Sequence, residues 1–147
     1  MAEKSINEIS RDLRLLFQKG NDALSRENTD YAIDLFNQVL LKEPAFFDCR
    51  KALRAAQAKK SGTASTGFFK RVLSNAGSSP QLAKAQLALH RNPLEALPIA
   101  EQVLNGDAQN LPAHRIILEA ARASDLPRTA VLSLEIQIGR ASCRERV

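Results

Sequence analysis

A chain of 147 residues with 44% hydrophobic and 25% charged side chains has the size and balance of one folded domain with a buried core, and is too apolar to stay disordered. Its formal charge of +5 is partly a local effect, because Arg140, Arg144 and Arg146 crowd the last eight residues, while elsewhere 18 basic and 15 acidic side chains are dispersed without a phosphate-binding stripe. No apolar run approaches the roughly 20 residues of a membrane span, and two cysteines make neither a disulfide framework nor a metal site.

Residues 1–12 mix charges and lack the apolar run of a secretory signal, so they read as a lead-in to a cytoplasmic protein. Residues 13–44 form the clearest unit. Leu13, Leu16, Phe17, Ala23 and Leu24 supply one helical face, and Ala32, Phe36, Val39 and Leu40 supply another at i, i+4, i+7, i+8 spacing. Asn28-Thr29-Asp30 offers capping side chains between them, and Pro44 cannot continue the second helix. With Gly20 and Ala32 as the small residues of the two helices and Phe36 a turn beyond, this stretch resembles one complete tetratricopeptide repeat. It departs from that pattern at Ala23, where a large aromatic is usual, and at Leu16, which replaces a common Trp.

The next segment, 46–78, fits the pattern least well. Phe46, Cys49, Leu53 and Ala56 share one helical stripe ending near Lys59, Ser61–Gly67 reads as a flexible loop, and Phe68–Ala76 as a short helix. It is a degenerate repeat with an altered hairpin or, alternatively, a linker between two small repeat units. The glycine spacing of Gly62-Thr63-Ala64-Ser65-Thr66-Gly67 imitates a phosphate-binding loop, but Phe68-Phe69 stand where Lys and Ser or Thr would do the chemistry.

Residues 79–108 and 111–137 are partial repeats. Their first helices are expected at about Pro80–His90 and Pro112–Ala123, and their second helices place Ala96 and Ala130 at the small site, 34 residues apart, the period of this repeat class. Ser79-Pro80 and Asn92-Pro93 read as caps followed by a proline at the first helical position, and Gly77 and Gly106 as left-handed stops. Pro98 implies a kink, or a helix that starts later. His90 and His114 read as helix-end or surface residues, and Cys49 as a small core residue. Ile138–Val147 back-translates as ATC GGA AGA GCG TCG TGT AGG GAA AGA GTG, which resembles a DNA sequencing adapter joined at Gln137, so these residues are expected to be a non-native tail and Cys143 to carry no function.

The resemblance implies an all-α, right-handed stack of three to four antiparallel helix pairs over residues 13–137, with first helices lining a concave groove. Such a stack acts as a scaffold that binds partner peptides or helices, without catalysis, cofactor or metal. Gly20-Asn21 resembles the pair found in repeats that grip a C-terminal carboxylate, although Phe17 stands where those repeats carry a lysine. Asn21, Lys51, Arg54, Arg115 and Arg122 are therefore the groove residues expected to meet a protein partner; the plainer reading makes them solvated surface charges. Two alternatives remain: a regulatory repeat module of a larger enzyme, transporter or membrane protein, and a nucleic-acid-binding helical repeat.

Overall fold

In a computed structural model of the chain, which describes residues 3–63 and 80–145 (side chains for 3–61 and 80–138), the helical periodicity becomes seven α-helices with no strand among the described residues. These are α1 (Arg11–Ser25), α2 (Thr29–Lys42), α3 (Phe47–Thr63), α4 (Pro80–Arg91), α5 (Pro93–Gly106), α6 (Leu111–Ala123) and α7 (Pro127–Glu145). Each helix packs on its neighbour in the chain within the α1–α3 and α4–α7 halves. The expected helix at Phe68–Ala76, Ser79 as a cap and Gly77 as a stop lie outside the described residues, as do the side chains of Arg140, Cys143, Arg144 and Arg146.

The first hairpin is set by a close crossing. A Cβ added at Gly20 would lie 2.8 Å from Phe36 Cδ1 and closer still to Cε1, so only glycine lets that ring seat against α1. Phe36 is fully buried, which contributes about 1.5–3 kcal/mol. Its neighbour Phe17 meets both Phe36 (ring centroids 5.9 Å apart) and Phe46 (4.9 Å, edge-on), tying α1, α2 and the entrance of α3 into one core with Leu13, Ala32, Val39, Cys49, Leu53 and Ala56. A second core gathers Ala85, Ala96, Leu97, Ala100, Leu104, Ile117, Ala120 and Leu126 from α4–α7.

Several boundaries differ from the expectations. The third helix overruns its expected end near Lys59 and continues through Thr63, across Ser61–Thr63 of the expected loop. The fifth begins at Pro93 and runs through Pro98, rather than starting after it. Asn92 and Asn110 cap α5 and α6 through side-chain bonds to Leu94 N (3.3 Å) and Ala113 N (3.0 Å), but Asn28 precedes α2 without one. Gly106 does not adopt the left-handed conformation; Glu27 (φ 63°) and Asp125 (φ 57°) do. The chain leaves Gly106 through extended Asp107 instead, so no left-handed stop is needed there.

The lead-in is tied down more firmly than its polarity implies. Ile9 is buried in the first core, Lys4 donates its backbone N–H to Ala45 O (2.8 Å), and Glu3 Oε1 accepts from Thr129 N (2.8 Å) at the start of α7. That carboxylate satisfies one of the orphan donors of a helix N-terminus and meets its positive end.

Candidate functional site

The two halves meet through a buried charged cluster. Arg50, Arg54 and Gln57 of α3 follow the core stripe Cys49, Leu53 and Ala56 by one residue, which turns them about 100° around the helix, away from α1 and towards α5. There Glu101, only 1% exposed, accepts from Arg50 Nη1 at 2.6 Å and from Arg54 Nη2 at 2.7 Å, while Arg54 Nη1 binds the other carboxylate oxygen. Gln57 bridges Arg54 (2.9 Å) to Asn105 (2.8 Å), and Pro44 O accepts from Arg50 Nη2 at 3.1 Å. Burial pushes the Glu101 carboxyl up, but Arg54, then Arg50 and Gln57, reverse this and hold it at about 2. Burial lowers the Arg50 guanidinium and raises the Cys49 thiol well above its usual range, which leaves Cys49 an inert core residue, as expected.

His114 corrects another expectation: it is fully buried, with Nε2 2.8 Å from Ala108 O, and burial followed by the nearby Arg54 charge lowers its pKa. His90 stays exposed in the last turn of α4.

Of the five expected groove residues, Arg54 is the correction. Its guanidinium is spent inside the protein on Glu101, so it faces no open groove. Asn21 lies exposed on α1, and Arg115 and Arg122 lie exposed on α6. Lys51 alone of the five lines a described cleft. Among the structural positions, Gly20, Ala32, Phe36, Ala96 and Ala130 are buried and Pro44 half-buried, in the small and large roles expected of them.

The cleft at Lys51 lies between α3 and α7 and encloses about 350 Å³. Phe47, Pro127, Val131 and Leu132 form its apolar wall, with Lys51, Arg128 and Glu135 at the rim. The Arg128 guanidinium carbon stands 4.1 Å from the Phe47 ring centroid and Lys51 Nζ 6.0 Å from it, so two cations approach one aromatic ring. Neither forms an ion pair among the described residues. Beyond them, α7 is patterned inside out: Thr129 and Ser133 are fully buried, whereas Val131 and Leu134 are 52% and 43% exposed. Sequence reasoning singled out only Ala130 on this helix, and the residues that complete the cleft, Phe47 and Lys51, come from a distant part of the chain.

Two other clefts are more polar. One of about 190 Å³ between α2 and α5 is walled by Asp34, Asn37, Gln102 and Asn105 above the buried arginines. Another of about 430 Å³ at the α1–α2 turn is lined by Lys19, Asp22, Arg26, Asn28 and Tyr31. Among the described residues no cluster of His, Cys, Asp and Glu could hold a metal ion, and no helix is long and apolar enough to cross a membrane.

No protein-family model, curated protein or solved structure matches the chain. Its internal geometry does repeat. At the α1–α2 turn Asn28 N donates to Ala23 O (2.9 Å) around left-handed Glu27; at the α6–α7 turn Leu126 N donates to Ala121 O (2.8 Å) around left-handed Asp125. Counting onward from those two residues aligns Ala32 with Ala130, Ile33 with Val131 and Phe36 with Leu134. Ile33 and Phe36 are buried in the α1–α3 core; their counterparts on α7 face outward.

Proposed function

We propose that this chain is a helical-repeat module of the tetratricopeptide kind that binds protein segments, and that the α3–α7 cleft is where they dock. The repeat reading is supported by the matched turns at Glu27 and Asp125, the close approach of Phe36 to Gly20, and the burial of Ala32, Ala96 and Ala130 at equivalent sites. The docking reading is carried by one observation: α7 turns Val131 to solvent in the wall of a cleft where two cations are held against Phe47. Monomeric proteins rarely leave a contiguous apolar surface rimmed by charge unless something covers it. A segment with apolar side chains and a carboxylate satisfies both parts of the cleft. This moves the expected binding surface from a groove lined by first helices to the junction of α3 with α7.

Affinity capture from a cell extract, followed by mass spectrometry, tests the assignment. Val131→Asp and Lys51→Glu should each lose the captured proteins while circular dichroism stays unchanged, and nuclease treatment should leave capture intact. If Val131→Asp retains the same proteins at unchanged affinity, the cleft is not the docking site.

A further inference from the structure

We infer that the segment docked in the α3–α7 cleft is the α7 helix of a second copy of this chain, packed antiparallel. The inference rests on the reading of that cleft as a protein-docking site. It follows from how charge and apolar surface are arranged along one turn-by-turn stripe. Arg128 and Glu135 are seven residues apart, two turns or about 10 Å along the helix axis, with Val131 and Leu132 of the cleft wall between them. A two-fold axis between Val131 and Leu132 sets each Arg128 opposite the Glu135 of the second copy, twice over, and lays each Val131 against the other copy's Leu132. Such self-complementarity is what an isologous interface demands: the same patch must serve as both partners.

The cation side is prepared for a carboxylate from outside. Arg128 and Lys51 converge on Phe47, and neither is spent on an ion pair among the described residues. Stacking a guanidinium on a ring occupies its face and leaves its N–H edge to donate to a carboxylate. Glu135 of the second copy arrives between the two cations. The apolar side is equally specific, since α7 buries Thr129 and Ser133 yet leaves Val131 52% exposed in the cleft wall beside half-buried Leu132. Ile138, 55% exposed, extends the stripe, but the pairing does not need it. A single helix pair buries less than the 1,200 Å² or so of a standard stable interface, so the dimer should be weak and in rapid exchange at micromolar concentrations.

Sedimentation velocity on the full chain at micromolar concentrations tests the inference. Wild type should show concentration-dependent dimerisation. Arg128→Glu and Glu135→Arg should each weaken it by about tenfold, because either change turns two attractive pairs repulsive. An equimolar mixture of those two variants should recover the association, since each mixed dimer regains both opposite-charge pairs. Val131→Asp should abolish it, with unchanged circular dichroism. A monomer throughout the range, or a dimer indifferent to both charge reversals, overturns the inference. If the chain is monomeric yet Val131→Asp loses captured proteins, the docking site stands with a different occupant; if capture is also unchanged, both readings fall.

Discussion

Replacing Glu101 by Gln should expose how much the joint between the two halves depends on one charge. The side chain keeps its size and one carbonyl oxygen, but the other oxygen becomes an NH2 group. In the native protein that carboxylate accepts from Arg50 Nη1, from both terminal nitrogens of Arg54 and from Gln57 Nε2. In the variant, two guanidinium groups 1% and 8% exposed keep their charges without an anion between them, and an amide donor faces an arginine donor. Breaking a buried pair by removing one partner costs about 3–5 kcal/mol. A chain of 147 residues has an unfolding entropy that converts 1 kcal/mol into about 3 °C. Thermal denaturation followed by circular dichroism near neutral pH should therefore show a melting temperature lower by about 10–15 °C. The charge-free combination Arg50→Met, Arg54→Leu, Glu101→Met should recover most of that loss, because it removes both the attraction and the desolvation cost. A Glu101→Gln variant that melts within about 3 °C of wild type, a loss under about 1 kcal/mol, would refute the reasoning, since the cluster would then be solvated rather than sealed.

Acid should unfold the protein in two stages visible in urea titrations repeated across pH. His114 has a folded pKa below its usual 6.5, so the unfolded chain binds the extra proton; stability is whole above 6.5 and declines as pH falls towards the folded value. Glu101, depressed from 4.5 to about 2, contributes fully above 4.5 and loses that contribution as pH drops through about 2. His114→Gln should lose the first decline and keep the second. Gly20→Ala should destabilise by about 1–3 kcal/mol despite alanine's better helix propensity, because the new methyl enters the Phe36 ring; equal chemical-denaturation midpoints would mean α1 and α2 can separate at no cost. Glu27→Gly should raise the melting temperature by relieving a left-handed glutamate, whose conformation costs about 1–2 kcal/mol; a lower melting temperature would contradict the turn assignment.

The all-helical character and much of the first core were legible because they depend on local spacing. Ala32, Phe36, Val39 and Leu40 fall on one side of any α-helix built from this sequence, and Pro44 and Asn92 act within a turn of their own position. Gly20 as the small crossing residue came from the repeat resemblance, and the close approach of Phe36 agrees with it. What lay beyond a hairpin was not legible. Arg54 was expected in a groove because the repeat resemblance lines the groove with its helix, and its partner Glu101 arrives from α5 only once the halves dock. A signal existed: Glu101 lies on the same helical side as Leu97 and Leu104, so periodicity placed a charge inside, but not the arginines that would meet it. His114 was buried for a similar reason, by packing between helices rather than by its neighbours in sequence. The α3–α7 cleft is the extreme case. The sequence pattern marks only Ala130 on α7, and only the tertiary arrangement, which seats Thr129 and Ser133 inward and brings Phe47 and Lys51 alongside Arg128, leaves Val131 exposed in the wall of a cleft.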